Sequence, residues 1–488
     1  MQQLDIYFGL SGDSPVIHTY TTTPGNYAGK LVVGPIRFLE LLELHLGLAG
    51  VFPGKIERVL LLKERLALLI KKEFIFHTSF HNDPLGVSKR LLTLWDTWQM
   101  SGWDLTEAKD LPRRMRLLLA LSETFKNIGP GLHDRIKQVA EACNNRPLPP
   151  MTLHLIDQLK FHPYAYQQLV KMLGKYVKVV NEDFVPSAAT GSDLNNLQLA
   201  LQGKTVKKLT NDGSLHIIYF PGDIQAANAI FAIQQADKWN PVVVNTDNSL
   251  LNGLHLSKNH PVCSWEIGAG NGQVSQLFFL ATSMFKRPVD TAQVMAFLSA
   301  PVSPFSKKLG RELKNIFAGK PGFGNVEWNE SINNYLLAIT DEKTEKAKRD
   351  HISFWLQNKN HLGETAYEVT LLNEIFSKLS KWAKQSAQLE YYQNYAGQLQ
   401  NLSILSEQLN LLLKDEGDEI VPAKFERLQA ELFSDVPSNI AEAQVGCADK
   451  VNLPSAVWTT TKDILWMNAI RNEVGSYLSK FWYQEEKE

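Results

Sequence analysis

Residues 215–245, LHIIYFPGDIQAANAIFAIQQADKWNPVVVN, carry the clearest signal of an α/β chain. The run 215–220 is apolar and β-branched, and Pro221-Gly222 breaks it. Asp223 can cap a helix over 224–236, and PVVVN at 241–245 is apolar throughout. A strand with no polar alternation is one buried on both faces, as in a parallel sheet. Strand, helix and parallel strand in that order make an α/β unit.

The same rhythm appears further out. Residues 4–8 (LDIYF) and 16–22 (VIHTYTT) are predicted strands, separated by the breakers Gly12 to Pro15. Gly34-Pro35 opens a helix whose leucines fall on more than one face, so it packs between layers. Helices follow over 55–72 and from Asp83-Pro84, the latter bearing Leu91, Leu92, Leu94, Trp95 and Trp98. Then come strand 151–156 (MTLHLI), helix 163–175 and strand 177–180. The polar stretch 186–193 reads as a boundary. From 273 to about 435 the pattern is helical, with a stripe of Leu399, Leu402, Leu405, Leu409 and Leu412. The mixed charges of 341–350 pair at i,i+4 and read as a solvated helix face. A late apolar run, 463–467 (DILWM), reads as a strand returning to a sheet. The expected organisation is a lobe over 1–190 with a helical insertion, and a lobe over 191–488 interrupted at about 273–435.

Composition narrows the function. The 488 residues hold 50 Lys+Arg against 51 Asp+Glu, so the chain is neither histone-like nor acidic-tailed, and any basic patch must be segregated locally. No run of 18 uncharged apolar residues and no signal-peptide pattern occur, so neither a membrane span nor a secretory leader is expected. Cys143, Cys263 and Cys447 have no close Cys or His neighbour at metal spacing. They fit a reducing, cytoplasmic compartment, with no metal and no cofactor.

Three stretches approach known motifs. Residues 24–31 (PGNYAGKL) hold Gly29-Lys30 of a phosphate loop, but Pro24 stands where the first glycine belongs and Leu31 replaces the magnesium-binding hydroxyl. They read as a turn or a degenerate nucleotide loop. Residues 265–272 (WEIGAGNG) look like the glycine turn of methyltransferases that use S-adenosylmethionine. That alternative lacks the second strand with its ribose-binding acid about 20 residues on. Residues 335–342 (YLLAITDE) mimic a strand ending in Asp-Glu, but their flanks make them a helix end. No catalytic residue emerges.

Longer segments carry a family likeness. Residues 34–48 (GPIRFLELLELHLGL), 83–103 (DPLGVSKRLLTLWDTWQMSGW) and 276–305 (QLFFLATSMFKRPVDTAQVMAFLSAPVSPF) resemble the N-terminal part of AddB-type subunits of ATP-dependent helicase–nucleases. The resemblance implies an inactivated superfamily I helicase: two RecA-like lobes with large helical insertions and a decayed ATP site. It also implies DNA and an active helicase–nuclease subunit as partners in double-strand-break repair and recombination. The family's C-terminal nuclease motif and iron–sulfur cysteines are not within residues 1–488, so nuclease activity would need a further domain. The remaining handle is basic. Residues 305–320 carry a net charge of +4, and Lys307, Arg311 and Lys314 share one helical face, with Lys308 beside it. These four are the candidate DNA-binding residues. Trp239, Trp265 and Trp328 are candidates for stacking bases.

Overall fold

A computed structural model of the chain describes residues 4–13, 29–50, 52–70, 75–103, 116, 119–182, 188–201, 203–206, 208–237, 241–244, 249–261, 265–268, 274–339, 342–357, 360–414, 416–434, 437–441, 447, 450–451, 454–458 and 463–467. The protein is α/β, with parallel sheets and a majority of helix. It divides into two compact units, Met1–Thr246 with Ala448–Glu488, and Asp247–Cys447.

The first unit contains a four-stranded parallel sheet. Its strands are β1 (Leu4–Phe8), β2 (Lys30–Val33), β3 (Met151–Leu155) and β4 (Lys178–Asn181), in the order β2-β1-β3-β4. Ile6 pairs with Leu31 and Leu153, and Phe8 with Val33 and Leu155. Strand alternation therefore gathers Ile6, Phe8, Leu153 and Leu155 on one face. That face is buried with Phe38, Leu39 and Leu42 of helix Pro35–His45, Val139 of helix Leu132–Cys143, and Tyr166 and Leu169 of helix Tyr164–Leu173. The opposite face is polar: the His154 ring stacks on Tyr7 at 4.5 Å, and its Nδ1 lies 2.6 Å from Glu182 Oε1. The predicted strand over 16–22 lies outside the described residues.

A separate helical cluster in this unit is formed by Lys55–Leu69, His77–Asn82, Pro84–Met100 and Ser122–Lys126. Its core includes Leu62, Leu66, Leu91, Trp95 and Phe125, with the Trp95 and Phe125 rings stacked at 4.6 Å. Asp83 caps its helix as its sequence position implies, accepting from the Gly86 amide at 3.1 Å.

The remaining strands are β5 (Val242–Val244), β6 (Trp265–Gly268), β7 (Tyr367–Glu368), β8 (Glu419–Ile420), β9 (Pro437–Ala441), β10 (Lys450–Val451) and β11 (Ile464–Trp466). β5, buried along its length, pairs in parallel with β10 on one side and β11 on the other. The late strand thus joins 242–244 as the pattern implies. The apolar run 215–220 does not: it forms no strand, and Ile217 and Tyr219 are 87% and 89% exposed. Both positions beside β5 are held by β10 and β11, so the run does not pair with 242–244, and strand-like composition by itself supplies no ladder partner.

In the second unit, helices Val369–Ser386 and Ala396–Leu413 pack together. All five leucines of the predicted stripe are buried. Polar pairs fix the register of the two helices: Ser380 Oγ to Ser403 Oγ at 2.9 Å, and Asn410 Nδ2 to Ser377 Oγ at 3.0 Å. Helix Val326–Leu337 ends within the 335–342 run, so its first residues are a helix end, while 340 and 341 lie outside the described residues. Among the described residues, no helix is long and apolar enough to cross a membrane.

Two ion pairs are held inside the first unit. Glu43 and Arg135 meet bidentately at 2.7 and 2.6 Å, joining helix Pro35–His45 to helix Leu132–Cys143. Arg58 and Asp96 do the same at 2.8 and 2.9 Å. The hydrogen bond to Glu43 is the main cause that raises the Arg135 pKa. Glu43→Ala should destabilise the protein by roughly 3–5 kcal/mol, because it strands a partly buried guanidinium. The urea midpoint against wild type measures this, and Glu64→Ala, at an exposed position on the neighbouring cluster, is the control.

Four histidines, His133, His162, His255 and His351, have pKa values lowered below the usual 6.5, in each case chiefly by burial. His351 Nε2 also lies 2.7 Å from the Pro304 carbonyl, a donated bond that pushes the other way. The folded state keeps these rings neutral while the unfolded chain takes up protons below about 6.5. The stabilisation is complete above that value and is lost as pH falls through it toward the folded pKa. The urea midpoint should therefore drop between pH 7.5 and pH 5.5. His162→Phe should reduce that drop, since the imidazole already stacks on Phe8 at 4.8 Å and neither of its nitrogens has a hydrogen-bond partner.

Candidate nucleic-acid interface and the edge of the first sheet

In open α/β sheets, ligands bind beyond the carboxyl ends of the strands, where helix N-termini offer free amides. At that edge of the first sheet, β1 runs into a short 3-10 turn, Leu10–Asp13, and β2 runs into helix Pro35–His45. The helix has no cap from its own Gly34. Instead the Asp13 carboxylate accepts from the Ile36 amide at 2.7 Å and the Arg37 amide at 3.1 Å. The chain thus supplies its own anion where a phosphate-binding site would leave the amides open. Gly12 is pressed against β2: a Cβ there would lie 2.2 Å from the Val33 oxygen.

The neighbouring space is also filled. Trp458, 1% exposed, lies over Gly9, where a Cβ would come within 2.6 Å of its ring. Trp458 Nε1 donates to the Ser455 carbonyl at 2.9 Å, and Ser455 Oγ meets Ser11 Oγ at 2.7 Å. The Leu10 amide donates to Asp157 at 2.7 Å. None of these residues stands out in the sequence. Asp13 lies in the Gly-Asp-Ser-Pro breaker, where its capping of a helix 23 residues later has no local signal.

Gly29 and Lys30 are elsewhere. Lys30 is the first residue of β2 and pairs with Asp5, and the Gly29 carbonyl accepts from the Asp5 amide at 2.8 Å. They stand at the amino end of the sheet. A working phosphate loop instead links the carboxyl end of a strand to a helix. Leu31 lies within β2. The 265–272 motif is likewise in an unsuitable setting: β6 pairs antiparallel with β9 in a two-stranded sheet, and residues 269–273 lie outside the described residues. Among the described residues, no group of three His, Cys, Asp or Glu side chains could hold a metal ion.

The basic residues lie together on helix Lys307–Gly319. Ser306 caps it, accepting from the Leu309 amide at 3.3 Å. Leu309, Leu313 and Phe317 form the buried side. Lys307, Lys308 and Arg311 are exposed and Lys314 is half-buried. Lys307 Nζ sits 5.6 Å from the centre of the Tyr391 ring. Lys320 is drawn away by an ion pair with Glu327, and Glu312 accepts from Ser331 at 3.1 Å. Of the aromatic candidates, Trp328 is fully buried and donates to the Leu356 carbonyl at 3.2 Å, so it is a core residue. Trp265 is the first residue of β6, and Trp239 lies outside the described residues.

Removing the long-range cap by Asp13→Ala should cost about 1 kcal/mol, in the range of ordinary N-cap losses. Asp13→Asn, which keeps an acceptor, should recover part of it in the same urea titration. Comparison with family models and with curated proteins finds no match for this chain.

Proposed function

We propose that the chain is a catalytically inactive, helicase-like module that binds or scans DNA beside an active helicase–nuclease subunit in double-strand-break repair and recombination. In this reading the four-stranded and three-stranded sheets are two RecA-like lobes, and the helices of 273–435 are an insertion in the second. The observation that carries the inactive half of the reading is Asp13. Its carboxylate occupies the helix amides that a nucleotide phosphate would need, and like charge and lost donors oppose an incoming phosphate. Trp458 over Gly9 supports the same conclusion by filling adjacent space. The DNA half is supported by the amphipathic helix Lys307–Gly319, which buries its apolar side and presents Lys307, Lys308 and Arg311 to solvent.

Purified protein should show no ATP turnover with or without DNA, and Lys30→Ala should leave that unchanged. DNA-stimulated hydrolysis abolished by Lys30→Ala would overturn the inactive reading. Duplex binding should be salt-sensitive and largely independent of sequence. A Lys307→Ala/Arg311→Ala/Lys314→Ala variant should flatten the slope of log affinity against log salt by about 3 units, one for each phosphate that is no longer neutralised. Equal slopes in variant and wild type would remove this helix from the interface.

A further inference from the structure

Tyr391 is a large aromatic ring, 71% exposed, in the short 3-10 segment Glu390–Tyr395. One cation, Lys307, already lies over it at 5.6 Å, and the ring of Tyr392 meets it edge-on at 4.9 Å. Burial raises the Tyr392 pKa and marks it as the anchored member of the pair. A shallow open depression is lined by Ala387, Gln388, Leu389, Glu390 and Gln393, the residues before and after the two tyrosines in the chain, and Leu389 is 53% exposed. An exposed tyrosine propped on a second ring, next to a row of cations, is a surface with both a stacking face and phosphate partners.

We propose that Tyr391 is a base-stacking platform and that Lys307, Lys308 and Arg311 track the backbone of a single-stranded nucleic acid across it. The proposal rests on the DNA-binding reading of helix Lys307–Gly319 and adds the strandedness and the residue that sets it. Lys307 and Arg311 are about 6 Å apart along the helix axis, within reach of successive phosphates of an extended strand. A tyrosine face can stack only on a base whose own face is free, which a duplex does not offer away from its ends. Lys307 and Arg311, four residues apart on one helix, make a line of positive charge, and the exposed acids Glu312 and Glu390 in the same segments keep the surface from being uniformly basic. A line suits a strand better than it suits a flat anionic membrane.

The test uses fluorescence anisotropy on the full chain with three probes of equal length: labelled oligo(dT), an abasic strand with the same phosphates, and a duplex. Wild type should bind oligo(dT) more tightly than the abasic strand. Tyr391→Ala should weaken oligo(dT) binding by at least about 5-fold while leaving the abasic strand unchanged. Tyr391→Phe, which keeps the ring, should bind within about 2-fold of wild type, and circular dichroism checks that both variants fold. A Lys307→Ala/Lys308→Ala/Arg311→Ala variant should weaken both single strands. If the charge variant loses binding but Tyr391→Ala does not, the stacking platform is wrong and the basic-helix reading stands. If wild type binds none of the probes, both fail. Preference for anionic phosphatidylserine vesicles over oligo(dT) would also overturn the proposal.

Discussion

Strand β5 holds the architecture together. Val242, Val243 and Val244 are buried, and both neighbours of this strand arrive from the far end of the chain, about 200 residues later. Parallel pairing requires a crossover, and here everything from Asp247 to Cys447 lies within it. Loop-closure entropy grows only logarithmically, about 0.6 kcal/mol per doubling of length. The crossover can therefore hold a whole helical unit, provided that unit brings its own core. It does so through the leucines of Ala396–Leu413 against Val369–Ser386, and through Trp328, Trp355 and Phe285 elsewhere in it.

The first sheet meets a different constraint. A parallel sheet exposes helix N-termini at one edge, and those amides must be satisfied by a ligand, by water or by the chain. Here Asp13 satisfies them from within. Gly12 allows the turn to press on β2, and Gly9 allows the Trp458 ring to come close to the backbone just after β1. Closing this edge satisfies the first amides of the helix from within the chain. The buried Glu43–Arg135 pair beneath it ties the capped helix to its neighbour, so the closed edge sits on a fixed support.

Charge is handled locally as well. The whole chain is close to neutral, so any attraction for a polyanion must come from a segregated face. Helix Lys307–Gly319 provides one because its apolar residues recur at the helical period and force the cations outward. The opposite polar face of the first sheet, with His154 between Tyr7 and Glu182, shows the other outcome: polar groups answering one another inside the fold.

Features that depend on local period and capping are legible along the chain without any knowledge of its fold. The α/β class, the helix opened by Pro35, the cap at Asp83, the buried leucine stripe and the outward cations of 307–314 all follow from spacing. Whatever depends on which partner is free is settled only when the elements assemble. LHIIYF and PVVVN are equally strand-like, yet β5 has two neighbours and 215–220 has none, because ladder positions are a property of the sheet and not of the strand. Gly29-Lys30 resembles a phosphate loop in one dimension, and only the register with Asp5 puts it at the amino end of the sheet. Asp13, Trp458 and Tyr391 acquire their positions from residues 23, 449 and 84 places away along the chain, distances across which no sequence period can be read.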